Sequence, residues 1–204
     1  ENDPITQYWF AKAAEYAGFP PGAVNILCGL GKEAGAALSS HPDVNQIVFT
    51  GSVATGSAIA SAAAKNIVPC TLELGGKSAA IVFDDADIDN LIDSIRWGIF
   101  YNAGQVCSAM SRVIVPQKLH DEISERAGEL AKSLSVGPGS ERTKFGLNMG
   151  SMISELQRDR AINLCQKAQT EGATTVTGGH KLNRPGWVLE PTVFSNVKPD
   201  MEIA

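Results

Sequence analysis

No stretch of this sequence approaches the roughly 18 to 20 consecutive apolar residues of a membrane-spanning helix, and no run of like charges interrupts it. The formal charge of −5 and the pI near 5.2 offer no electrostatic handle for nucleic acid or an anionic membrane surface. No RNP or zinc-finger pattern occurs, so neither nucleic acid nor membrane is expected as a partner. Cysteine is sparse: residues 28, 70, 107 and 165 are scattered, with no CxxC and no Cys/His cluster. That spacing gives no plausible zinc site and fits a reducing, cytoplasmic compartment. Repeats and low-complexity linkers are missing as well. The sequence starts at Glu1 without a methionine and stops at DMEIA, so a piece of a longer chain is expected.

What is present reads as an ordinary globular protein. The 204 residues suffice for one large domain or two compact lobes, and 44% are hydrophobic against 19% charged. Helix-like and strand-like segments alternate, with glycines at most joints. NDPITQYWFAKAAEYAG predicts a helix capped by Asp3, with Pro4 in its first position and Gly18 at its end. AVNILC (23–28) reads as a buried strand, GLGKEAGAALSSH as a helix, and NQIVFT as a strand. GSVATGSAIASAAAKN reads as a glycine turn and an Ala/Ser-rich helix, and VPCTLEL as a third strand. SAAIVF leads into DDADIDNLIDSIRWGIFYNAG, an amphipathic pattern about five turns long. RVIVP is a strand. KLHDEISERAGELAKSL is a surface helix with apolar positions at 119, 123, 127, 130, 131 and 134. ISELQRDRAINLCQKAQTEG is a further helix, and WVLEPTVF is extended. This alternation predicts an α/β sheet with right-handed crossovers, and a lobe boundary at Gly75 and Gly76.

Three glycine turns compete as phosphate cradles. GLGKEA (29–34) fits G-x-G-x-x-A between strand and helix, but the acid expected about 20 residues on is replaced by Gly51 and its Thr and Ser neighbours. GGKS (75–78) imitates the end of a Walker A loop, yet the first glycine of that motif would fall on Thr71. FTGSVATG (49–56) follows a strand and opens a helix whose first-turn amides suit a pyrophosphate, with the Ser52 hydroxyl as an extra donor. A plain Gly-Ser cap is the other reading of it. DADIDN, from Asp85, opens like a calcium loop, but Asn90 and Arg96 stand where glycine and glutamate are required. Its acids suit the start of the next helix.

Cys107 lies in FYNAGQVCSAMSR. A small buried hydrophobe is one reading; a presented thiol is the other, because Asn102 to Gln105 suit a turn rather than a continuing helix. Cys28, Cys70 and Cys165 lie in strand-like or helix-like runs and read as filler. Glu73 is a carboxylate inside the apolar strand TLELGGK, either a partnered structural acid or a general base whose pKa burial would raise. His41, His120 and His180 read as solvated. Trp97 reads as core, with Phe100 open between core and substrate.

TLELGGKSAAIVFDDADID and FYNAGQVCSAMSR together resemble the glutamate and cysteine motifs of the aldehyde dehydrogenase superfamily. PPGAVNIL, HPDVNQIVFTGS and EPTVF are similar to family segments in the same order, so the resemblance runs from Glu1 to Ala204. It implies an α/β aldehyde dehydrogenase-like fold, with residues 1–75 the C-terminal part of a Rossmann-type NAD-binding domain and 76–204 the N-terminal part of an incomplete catalytic domain. Cys107 matches the nucleophile and Glu73 the base that activates hydrolytic water. Gly51 and Ser52 match the turn at the cofactor pyrophosphate, Thr55 the position near the adenine, Gly31 and Gly35 the adenosine pocket, and Leu74 and Gly75 the residues beside the nicotinamide. Glu1 matches the acid that holds the adenosine ribose, which favours NAD, with NADP as the alternative. No metal is implied.

The implied chemistry is oxidation of an aldehyde to a carboxylic acid through a Cys107 thiohemiacetal and thioester. Tyr101, Val106 and Ser108 are expected around the small-molecule aldehyde. GIFYNAGQVCSA is similar to betaine-aldehyde and amino-aldehyde enzymes, with succinate semialdehyde as the alternative substrate. In the family, an oxyanion-holding asparagine precedes the position of Glu1, and a ribose-gripping glutamate and an oligomerising strand follow that of Ala204. The 204 residues are therefore expected to be a segment inactive by itself, from a homo-oligomeric parent, dimer or tetramer. FGLNMGSMIS (145–154) departs from the family's common GP-IS form, which bears on subfamily rather than chemistry.

Overall fold

Alternating apolar and polar residues build the first strand pair. β1 (Ile47–Gly51) turns Ile47 and Phe49 inward, and β2 (Cys70–Leu74) does the same with Cys70, Leu72 and Leu74. They pair in parallel, Ile47 against Cys70 through Gly51 against Leu74. The computed structural model describes residues 1–140 and 149–204. It forms two compact units, Glu1–Gly75 and Gly76–Ala204.

In the first unit, α1 (Ile5–Tyr16) precedes a π turn at Gly31–Gly35 and the short α2 (Ala36–Ser39). α3 (Val53–Ala64) is the crossover between β1 and β2. It sits close to the sheet because Gly56 has no side chain: a Cβ there would lie 2.7 Å from Leu74 Cδ2. Two sequence expectations fail here. Ala23–Cys28 forms no strand and is mostly exposed, Cys28 included. A strand needs a neighbouring backbone, and the described sheet of this unit contains only β1 and β2. Asp3 does not cap α1; Pro4 holds the cap position without a side-chain hydrogen bond.

The second unit opens with β3 (Ala79–Ile81), which pairs in parallel with β4 (Arg112–Ile114). Between them, Asp87 caps α4 (Ile88–Ile95), accepting the Asn90 amide at 3.1 Å. The acids of DADIDN thus open a helix. That helix is eight residues rather than five turns, because a π turn (Arg96–Phe100) and a tight turn (Tyr101–Gly104) replace its continuation. Trp97 is 64% exposed, against the expectation of core, while Phe100 is buried. Trp97 lies roughly 200° around the helix axis from the buried Ile95, on the opposite face.

α5 (His120–Ser133) lays one face on the core. Its Ile123, Ala127, Leu130 and Ala131 are buried at the predicted spacing. Ala127, Leu130 and Ala131, with Leu134 just beyond the helix, pack with Ile95, Phe100, Val136, Met149 and Val188. His120 is half-buried beside Asp121 at 2.8 Å rather than solvated, since it starts this helix. α6 (Glu155–Glu171) is capped by Ser154, which accepts from the Gln157 amide, and stops at Gly172, whose φ of 99° only glycine adopts cheaply. β5 (Thr174–Thr177) then pairs antiparallel with β6 (Val193–Ser195). β5 has no counterpart in the sequence reading, although its β-branched run after a C-capping glycine is a strand signal. The described residues form three two-stranded sheets. Residues 145–148 of the FGLNMGSMIS segment lie outside the described residues.

Candidate active site

Parallel strands put their carboxyl ends at one edge, where open α/β sheets bind ligands. At that edge of the first unit, Gly51 and Leu74 pair in register, and the Gly75 amide donates to the Gly51 carbonyl at 3.2 Å. Ser52 follows at once and caps α3. Its Oγ accepts the Thr55 amide at 3.2 Å and lies 2.9 Å from Thr55 Oγ1. Where Thr55 donates in that hydroxyl pair, the Ser52 proton is left to point outward. The first-turn amides of α3 have no carbonyl partners inside the helix, which suits an anion at this end. The plain-cap reading of this turn is met, since the Ser52 side chain accepts the Thr55 amide.

Glu1 and Gly31 meet across 30 positions: the carboxylate Oε2 accepts the Gly31 amide at 2.7 Å. One carboxylate oxygen thereby fixes the side chain. Gly35 closes the same π turn, with open space where a side chain would stand. A dinucleotide needs amide donors for its pyrophosphate and a carboxylate for a ribose. The residues gathered in this unit supply both, so they fit such a cofactor.

Glu73 stands opposite Thr50 in the β1–β2 register and is exposed. The expectation of burial fails because side chains alternate along β2. Leu72 and Leu74 face inward, Leu74 against Gly56 of α3, and Glu73 points to the other, open face.

In the second unit, three consecutive residues are left-handed: Asn102 (φ 51°), Ala103 (φ 54°) and Gly104 (φ 73°). Such a conformation costs a residue with a Cβ roughly 1–2 kcal/mol, and it clusters at functional sites. The chain then makes a tight turn in which the Ala109 amide donates to the Val106 carbonyl at 3.1 Å. Cys107 and Ser108 are the two central residues of that turn. Cys107 is exposed, as are Tyr101, Val106 and Ser108. Beyond the turn the backbone is anchored again: Ala109 is buried, and the Met110 amide donates to the Gly98 carbonyl at 2.9 Å. The other thiol of this unit, Cys165, is buried, and desolvation pushes its pKa up. Exposure therefore separates a presented sulfur from a packed one.

The model of the aldehyde dehydrogenase family matches residues 1–204. This chain belongs to the aldehyde dehydrogenase family. It is 44% identical to an aldehyde dehydrogenase of Emericella nidulans and 43% identical to aldehyde dehydrogenase 1A1 of Mesocricetus auratus, matching over all of its own length but 41% and 40% of theirs. Among solved structures, an aldehyde dehydrogenase from Bacillus cereus in an NAD+ complex superposes with a TM-score of 0.93 at 40% identity, over 98% of this chain and 40% of that one. Betaine aldehyde dehydrogenase from Staphylococcus aureus, also with NAD+, gives 0.91 at 36% identity, over 98% and 40%. The chain thus has the α/β fold of aldehyde dehydrogenases and spans about two fifths of the length of the curated relatives it matches. No described helix is long and apolar enough to cross a membrane.

Gln105, expected only as part of a turn, has a second role in the fold. Its side chain accepts the Ile153 amide at 2.8 Å and donates to the Asn102 carbonyl at 3.0 Å. A long amide side chain two residues before the cysteine was the available signal, but its partner, 48 positions away, was not legible.

Proposed function

We propose that the protein carrying this segment oxidises an aldehyde to a carboxylic acid with NAD, using Cys107 as nucleophile and Glu73 as the base for hydrolysis. The observation that carries the reading is the exposed Cys107 at the apex of the Val106–Ala109 turn, in a chain that the family matches from end to end. Residues 1–75 are read as part of the cofactor domain and 76–204 as part of the catalytic domain.

The Cys107 thiolate adds to the carbonyl carbon, forming a C–S bond and an oxyanion, the thiohemiacetal. The internal bond of the turn runs from Ala109 to Val106, leaving the Cys107 amide to donate to that oxyanion. NAD, when bound, supplies the acceptor for the hydride that leaves this carbon. A thioester on Cys107 remains. The Glu73 carboxylate takes a proton from water, the resulting hydroxide attacks the thioester, and the acid departs as the thiolate is restored. Glu1, Gly31 and Gly35 would hold the adenosine; Gly51, Ser52 and Thr55 would meet the pyrophosphate and adenine side; Leu74 and Gly75 would flank the nicotinamide. The Glu1 carboxylate disfavours a 2′-phosphate, hence NAD over NADP.

A second reading concerns the 204 residues alone. Their span of about 40% of the relatives supports weak nucleotide binding and negligible turnover for the isolated segment. The deciding experiment is Cys107→Ser in the full-length enzyme. Aldehyde-dependent NADH formation is expected to vanish while NAD affinity stays within about threefold; turnover by that variant would sink the nucleophile.

A further inference from the structure

The turn bearing Cys107 is anchored on its far side by the buried Ala109 and the Met110–Gly98 backbone bond. On its near side the anchor is Gln105, and every polar group of that residue is engaged. Its amide donates to the Asn102 carbonyl at 3.1 Å, and its own carbonyl accepts the Asn102 side-chain amide at 3.2 Å. Its side-chain Nε2 donates to the Asn102 carbonyl at 3.0 Å and, at the long limit of 3.4 Å, to the Ser151 carbonyl. Its Oε1 accepts the Ile153 amide at 2.8 Å.

The segment that receives Gln105 is itself tied down. The Ser151 hydroxyl accepts the Trp187 amide at 2.9 Å, and the Met152 amide donates to the Trp187 carbonyl at 2.9 Å. Gln105 therefore joins a strained, left-handed stretch at Asn102–Gly104 to a braced strip of backbone. Left without that tie, the left-handed Asn102 and Ala103 have an incentive to relax, and the sulfur a few positions on would move with them.

We propose that Gln105 is a positioning residue for Cys107, holding the thiol in its reactive location by clasping Asn102 and pinning the turn to residues 151–153. This rests on the reading of Cys107 as the nucleophile. Gln105 touches no reacting atom; it acts through the backbone. An error of about 1 Å in placing a reacting group can cost about 100-fold in rate.

The test uses the full-length enzyme with Gln105→Met, which keeps the length but not the hydrogen bonds, and Gln105→Glu, which keeps the acceptor for Ile153 but turns an anion toward the Asn102 and Ser151 carbonyls. For Gln105→Met, kcat is expected to fall about 10- to 100-fold with NAD affinity within threefold of wild type. For Gln105→Glu, the ratio of its kcat to the wild-type value is expected to climb as pH falls, because a protonated carboxyl regains a donor. A kcat for Gln105→Met within threefold of wild type overturns the proposal. So does an equal loss of kcat and NAD affinity, which marks a merely structural role. If Gln105→Met does not fold, the Gln105→Glu ratio decides, and a ratio flat with pH overturns it. Turnover by Cys107→Ser would instead bring down the nucleophile reading, so the two failures are distinguishable.

Discussion

The Glu1 carboxylate accepts the Gly31 amide hydrogen at 2.7 Å, joining the start of the described chain to the π turn that opens α2. The bond uses one carboxylate oxygen and leaves the negative charge facing outward. Glu1→Gln retains an acceptor for Gly31 and removes the charge. In the full-length enzyme this variant is expected to raise the ratio of kcat/KM for NADP to that for NAD by about tenfold, equivalent to ~1.4 kcal/mol. Steady-state kinetics with both cofactors checks it; an unchanged ratio removes Glu1 from cofactor choice.

Glu73 is exposed on the open face of β2, opposite Thr50. A base needed only to hydrolyse the thioester is dispensable for the first half of the reaction. Glu73→Gln is therefore expected to retain a burst of one NADH per site while steady-state turnover drops by about 10²- to 10⁴-fold. Stopped-flow absorbance separates the two phases, and loss of the burst itself would assign Glu73 to an earlier step.

The ends of α6 give a stability prediction independent of chemistry. Ser154 accepts the Gln157 amide at one end, and Gly172 sits at φ 99° at the other. Ser154→Ala and Gly172→Ala are each expected to cost about 1 kcal/mol, the first by losing a cap and the second by forcing a Cβ into the left-handed region. Urea unfolding measures both. The losses are expected to add, since the two residues lie at opposite ends of the helix.

Cys165 predicts a pH dependence. Burial raises its thiol pKa in the folded state above that of the unfolded chain. The stability it contributes is complete below the unfolded value and is lost as pH rises through the folded one. Between about pH 8 and 10, where thiols ordinarily begin to ionise, the wild-type protein is expected to lose stability more steeply than Cys165→Ala. Parallel slopes in chemical denaturation would show that the thiol ionises equally in both states.

Local chemistry made much of this molecule readable. The Ser52 cap and the acids that open α4 follow from interactions within a few residues of chain, and the spacing of apolar residues marked the face of α5 that packs inward. The two motifs around Glu73 and Cys107 identified the family before any geometry was known. Three features depended on distant partners. Ala23–Cys28 has strand composition but forms no strand, because pairing is supplied by a neighbouring backbone and not by the residues themselves. Glu73 sits in an apolar strand yet is exposed, because alternation assigns it to the face that α3 does not cover. Gln105 became an anchor only when folding brought Ile153 within 2.8 Å of it. The sequence by itself determined the family and the acidic start of α4, since these need only near neighbours. Tertiary structure alone decided what is buried, what is paired and what holds the Cys107 thiol in place, because each of those depends on atoms contributed from far along the chain.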